Sequence, residues 1–321
     1  MSISTEKASA ATATPRQTKS VGVLGFGHMG RALTARMHEA GVQTFVYDRD
    51  IESLAALIPP GVKTVSDISG LANCDVIFTS LPDDDALNAV TKSPGGLFSV
   101  MRPNTLHIAT STVSPAMSRR LAASHHALGQ RFLVAAILGN PDIVRNAQAF
   151  VLAGGQESSL IVAAPLLRHV SQRIFHIAED PGMASLMKVA SNALTGVTLQ
   201  SMGEILALLA KAGIERRKGF EILTGTMFDA RVHKAYGGKI LEERYLPAGM
   251  TAPLAVKDLR LAMAEAEHWM VPMPLVSIVH DRLVAMMARG WADLDWSALG
   301  ALAATDAGLD VNLGHTADHR A

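Results

Sequence analysis

Residues 21–50 read VGVLGFGHMGRALTARMHEAGVQTFVYDRD, and the rest of the chain is organised around them. The apolar run Val21 to Leu24 predicts a buried strand, and Gly25, Gly27 and Gly30 follow at G-x-G-x-x-G spacing. An amphipathic helix is expected from there to Ala40, stopped by Gly41. A second β-branched and aromatic run, Thr44 to Tyr47, ends in Asp48, eighteen residues after Gly30. Strand, glycine turn, helix and an acid at the next strand end are the context in which the glycine spacing carries meaning. Gly25 permits the turn, Gly27 lets backbone approach a pyrophosphate, and Gly30 lets helix pack on strand. Free amides at the helix start favour anionic phosphates. The segment Gly25, Phe26, Gly27, His28, Met29, Gly30 is therefore a candidate dinucleotide site.

A length of 321 residues allows two domains, and a hydrophobic fraction of 49% is ample for large cores. Lys plus Arg equals Asp plus Glu at 29 each, so no charge excess points to nucleic acid or an anionic membrane. Cys74 is the single cysteine, which excludes an internal disulfide and fits a reducing cytoplasm. No uninterrupted apolar run reaches the ~18 residues of a membrane span. Residues 1–19 read as a disordered tail, with an organellar transit peptide as the alternative. No His, Cys or carboxylate set has metal-ligand spacing, and no metal is assigned.

From Val21 to about His176, strands expected at 21–24, 44–47, 76–80, 105–109, 131–135, 149–153 and 173–176 alternate with helical segments. This predicts an α/β domain, a doubly wound and mostly parallel Rossmann-type sheet, over 20–181. After Pro181-Gly182 the alternation ends and a helix-only pattern follows, giving an all-α domain over 182–305 and a disordered tail over 306–321. One long interdomain helix, about Met183 to Lys211, joins the two. Its periodicity places Leu186, Ala190, Ala193, Leu194 and Val197 on one stripe, with Lys188, Asn192 and Thr195 opposite. Lys188 and Asn192 are neighbours one turn apart. Because Leu199, Met202, Leu206 and Leu209 continue beside the polar face, a second subunit is expected to cover the distal half, as in a homodimer.

In order along the chain stand GFGHMG (25–30), LPDD (81–84), STVSP (111–115), GMASLMKVASN (182–192), VKDLRLA (256–262) and DWSAL (295–299). Together they resemble the β-hydroxyacid dehydrogenase family, which includes 3-hydroxyisobutyrate dehydrogenases and, more distantly, 6-phosphogluconate dehydrogenases and imine reductases. The resemblance spans Val21 to about Ala301. It implies an NAD(P)-dependent oxidoreductase with Lys188 as the catalytic lysine and Asn192 as a substrate-holding residue. It also places Ser111 and Thr112 beside nicotinamide and substrate, Leu81 and Pro82 along the cofactor, and Lys257 on the cofactor side of an interdomain cleft.

One segment departs from the family pattern. Where relatives carry a sequence close to DAPVSGG, whose serine and glycine amides hold a carboxylate, this chain has VAAILGN at 134–140, with Leu138 in the serine position, Gly139 retained, and Asn140 in place of a glycine. A larger or less polar carbonyl, hydroxy or imine substrate is therefore expected. Asp48 favours NAD, while Arg49 stands where NADP-using relatives place an arginine; NAD is weighted above NADP. The alternatives are an imine reductase on the same fold and a catalytically decayed dinucleotide-binding protein.

Overall fold

The computed structural model describes residue 18 and residues 20–314; the expectations for the N-terminal tail and for 315–321 lie outside the described residues. In chain order the first half holds β1 (Ser20–Leu24), α1 (His28–Glu39), β2 (Gln43–Tyr47), β3 (Lys63–Thr64), β4 (Val76–Thr79), α2 (Asp84–Lys92), α3 (Leu97–Val100) and β5 (Leu106–Ala109). It continues with α4 (Pro115–Ala127), β6 (Arg131–Leu138), α5 (Pro141–Arg145), β7 (Ala149–Gly154), α6 (Glu157–Leu167) and β8 (Ser171–Ala178). The second half is helical: α7 (Pro181–Lys211), α8 (Arg216–Gly225), α9 (Arg231–Leu241), α10 (Ala252–His268), α11 (Pro274–Ala288) and α12 (Leu299–Asp306).

The eight strands form one sheet in the order β3-β2-β1-β4-β5-β6-β7-β8. Pairing is parallel except between β6 and β7, where Leu138 faces Phe150 and Val134 faces Gly154. The chain winds outward in opposite directions from β1, so the crevice beyond the β1 and β4 ends is the topological switch point at which such sheets bind ligands. The expected strands are present; β3, only two residues long and exposed, had no signal, and the antiparallel turn of β7 was not anticipated. An apolar run looks the same whichever way its neighbour points.

α7 packs against β6 and β7 with its first turns and against α9, α10 and α12 further along. Gly154 makes the first contact close: a Cβ there would lie 2.8 Å from the Ala184 Cβ and 2.9 Å from the Pro181 Cα. Ser118 and Ser185 share a hydroxyl hydrogen bond of 2.8 Å that seats α7 on α4. At Gly203 a Cβ would stand 2.6 Å from the Gly300 Cα, so α12 crosses α7 where both lack side chains. By length and a mean hydropathy of 1.4 this helix is long and apolar enough to cross a membrane, but it packs here as a core helix between the two halves.

The two stripes of α7 differ in exposure. Asn192 and Ser185 are buried, whereas Ala190 is exposed and Leu194 is 69% exposed. Leu199, Met202 and Leu206 are buried within this same chain, the last two with Ile240. The polar residues turn inward because partners await them, and the exposed apolar stripe is instead Leu194, Ile205 and Leu208. Past α12, Val311 and Leu313 pack on the helical core.

Candidate functional site

The glycine turn has the geometry its spacing demands. Gly25 has φ +96°, and a Cβ there would meet the Ser80 carbonyl oxygen at 2.3 Å; its amide donates to the Tyr47 oxygen at 2.9 Å. A Cβ on Gly30 would fall 1.9 Å from the Gly25 oxygen, so α1 can pass over the turn only with glycine there. Around Gly27, by contrast, a Cβ would meet nothing within 4 Å, and no side chain caps the start of α1. Open space beside uncapped amides at His28, Met29 and Gly30 fits a bound pyrophosphate. Phe26 contributes differently: its ring is buried in the core and its amide donates to Asp48 Oδ2 at 2.7 Å. Asp48 Oδ1 accepts the Asp50 amide at 3.0 Å, so this acid braces the turn from the end of β2. Arg49 is exposed and pairs with Asp50, at 3.2 Å.

The loops after β4 and β5 are tied together. Ser111 Oγ accepts the Leu81 amide at 2.8 Å. Asp83 caps α2 through the Ala86 amide, while Asp84 accepts both the Ser114 amide at 2.9 Å and the Ser114 hydroxyl at 2.5 Å. Asp84 of LPDD thus holds the STVSP loop in place, while Asp83 fixes the start of α2. Lys257, from α10, closes the arrangement by donating to the Pro82 oxygen at 2.7 Å and the Thr112 oxygen at 2.6 Å. It also forms an ion pair with Asp258 Oδ1 at 3.1 Å.

Lys188 and Asn192 come together as expected. Lys188 Nζ donates to the Ile137 oxygen at 2.9 Å and to Asn192 Oδ1 at 3.3 Å. Asn192 Nδ2 donates to Asp258 Oδ2 at 2.5 Å, and Asp258 is 3% exposed. An ammonium has three protons, so one on Lys188 has no partner among the described residues. Burial lowers the Lys188 pKa below the ordinary lysine value; the Lys257 charge pushes it down further and the Asp258 carboxylate pulls it back up.

Leu138 ends β6 half-buried against the Ala184 side of the core. Gly139 has φ +155°, and a Cβ there would meet Ile143 at 2.9 Å. Asn140 turns away to cap α5, accepting the Ile143 amide at 2.9 Å. Two participants were not foreseen. Asp258 carries a signal in hindsight, an acid set among Ala255, Leu259 and Ala262 on the buried stripe of α10; the Ile137 carbonyl, being backbone, carries none. DWSAL is a structural brace: Asp295 accepts from Lys239, Gly249, Ser297 and the Ser297 hydroxyl. Among the described residues no group of three or more His, Cys, Asp and Glu could hold a metal ion.

Comparison with known proteins identifies the family. Residues 20–178 match the model of the NAD binding domain of 6-phosphogluconate dehydrogenase. Residues 182–303 match that of the NAD-binding domain of NADP-dependent 3-hydroxyisobutyrate dehydrogenase. The chain is 32% identical to the oxidoreductase YfjR of Bacillus subtilis over 87% of its own length and 98% of that protein. It is 25% identical to 2-(hydroxymethyl)glutarate dehydrogenase of Eubacterium barkeri, over 87% and 93%. The structure of Mycobacterium tuberculosis 3-hydroxyisobutyrate dehydrogenase with L-serine superimposes with a TM-score of 0.77 at 26% identity, covering 89% of this chain and 99% of that one. The chain belongs to the β-hydroxyacid dehydrogenase family and is an NAD(P)-dependent oxidoreductase.

Proposed function

We propose that the chain interconverts a hydroxy compound and its carbonyl counterpart in the cleft between sheet and helical halves, with Lys188 handling the proton. The observation that carries this is the one Lys188 proton left without a partner among the described residues, beside the end of β6. The bound nicotinamide supplies or accepts the hydride. In reduction Lys188 Nζ gives a proton to the substrate oxygen as charge develops there; in oxidation the neutral amine takes it back. Desolvation makes the neutral form more accessible than in a free lysine, so one group can serve both directions. Asn192, locked by Asp258, holds the ammonium and has a second N–H for the substrate. Lys257 holds the Pro82 and Thr112 carbonyls of the two loops that border the dinucleotide.

Gly25, Gly27 and the amides of His28, Met29 and Gly30 would hold the pyrophosphate, Asp48 the ribose hydroxyls, and Leu81, Pro82 and Ser111 the nicotinamide end. Asp48, already fixed at the strand end and negatively charged, disfavours a 2′-phosphate, so NAD is preferred to NADP. The exposed stripe of Leu194, Ile205 and Leu208 on α7 supports association of two copies through this helix. A screen of aldehydes, ketones, hydroxyacids and cyclic imines with both nucleotides, followed by nicotinamide absorbance, tests the reading. Turnover of carbonyl or hydroxy compounds is expected; turnover confined to imines, or none with either nucleotide, contradicts it.

A further inference from the structure

The end of β6 offers a substrate little to bind: Leu138 has no polar atom, and the Asn140 side-chain oxygen is spent on the α5 cap. Leu138 pairs directly with Phe150 across the antiparallel β6–β7 ladder, which puts both side chains on one face of the sheet. Over Phe150 lies Arg231, at the start of α9, its guanidinium carbon 5.5 Å from the ring centroid. Three cations of the helical half are already matched, Lys234 with Asp229, Lys239 with Asp295, and Arg216 with Glu243, while Arg173 of β8 lies over the neighbouring Phe175 ring, its guanidinium carbon 4.4 Å from the centroid. Arg231 has no carboxylate partner among the described residues. An arginine resting over an aromatic ring keeps its fork of N–H donors free for a carboxylate.

We propose that Arg231 is a specificity-determining residue that receives the carboxylate of the substrate. An apolar chain lying over Leu138 and Phe150 would join that carboxylate to the reacting carbon at Lys188. The substrate class is an oxo or hydroxy acid whose acid group is separated from the reacting carbon by an apolar spacer. The inference rests on the reading that Lys188 marks the reacting end. Its test does not depend on turnover.

Hexanoate and hexanamide are titrated calorimetrically into the nucleotide-saturated protein, its Arg231→Gln and Arg231→Lys variants, with acetate as the short control. The acid is expected to bind the natural protein at least tenfold more tightly than the amide and than acetate. Arg231→Gln is expected to remove that preference, weakening hexanoate at least tenfold and leaving hexanamide within twofold, while Arg231→Lys restores most of it. Arg231 is exposed, so both variants are expected to keep the natural unfolding temperature. No measurable hexanoate binding to the natural protein, an Arg231→Gln affinity within twofold of natural, or equal losses for acid and amide overturns the proposal. Failure of hydride transfer would show instead as absent turnover in the nucleotide screen, whatever the titration gives.

Discussion

Asn192 donates to Asp258 at 2.5 Å, and this bond decides which end of the Asn192 amide faces Lys188. A carboxylate can only accept and an ammonium can only donate, so Nδ2 must face Asp258 and Oδ1 must face Lys188. The carboxylate also sets the charge around Lys188, raising a pKa that burial and Lys257 depress. Asp258→Asn should therefore lower the Lys188 pKa further. In reduction the ammonium is the active form, so activity is lost as pH rises through that pKa, and the alkaline limb of kcat/KM moves to lower pH in the variant. In oxidation the rise with pH moves the same way. Profiles in both directions check this; a limb that moves to higher pH contradicts it.

Two glycines of one turn should behave in opposite ways. Gly30→Ala drives a Cβ to 1.9 Å from the Gly25 oxygen and should destabilise the protein by about 3 kcal/mol. Gly27→Ala enters open space, so its unfolding temperature should change little while dinucleotide affinity falls at least tenfold. Thermal unfolding with nucleotide titration separates the two.

A buried chain of hydrogen bonds runs from α3 through α4 and β5 to the end of β4. Gln130 donates to the Phe98 and Met101 oxygens, leaving its own oxygen to accept from His125 Nδ1 at 2.7 Å. His125 Nε2 then accepts from His107 Nδ1 at 2.8 Å, and His107 Nε2 accepts from the Thr79 hydroxyl at 2.8 Å. Both imidazoles are neutral in this scheme. Burial depresses both pKa values, His125 to about 4 despite the opposing Gln130 bond, and His107 well below its ordinary value with His125 adding to the effect. Unfolding lets both bind protons, so this stability is present above about pH 6.5 and is lost as pH falls towards 4. For His125 alone the loss is roughly 3 kcal/mol. Urea unfolding across that range should show the decline, and a His107→Val, His125→Phe double variant should show a shallower one.

Nucleotide choice should turn on Asp48. Asp48→Ser removes the charge facing a 2′-phosphate and should raise kcat/KM for the NADP form relative to the NAD form at least tenfold. Some stability should be lost with it, because Asp48 also accepts the Phe26 amide. Steady-state rates with both nucleotides check this; an unchanged ratio contradicts it.

The glycine turn was legible because Gly25 and Gly30 answer to backbone atoms, and the Lys188 and Asn192 pair because helical spacing alone brings them together. Which stripe of α7 meets water was not legible, since periodicity separates polar from apolar without saying which side is covered: Leu194 is exposed and Asn192 buried. Asn192 faces inward because Asp258, far along the chain, is there to receive it. The Ile137 carbonyl and the pairing of Leu138 with Phe150 depend on sheet register, which a single strand does not encode.

The most direct test of the central claim is single-turnover hydride transfer by Lys188→Met on the best substrate of the screen, with nucleotide affinity measured on the same preparation. Loss of at least a thousandfold in rate, with affinity within threefold of the natural protein, is the predicted result. Transfer at near-natural rate, or a rate loss matched by loss of nucleotide binding, would contradict the assignment of the proton to Lys188.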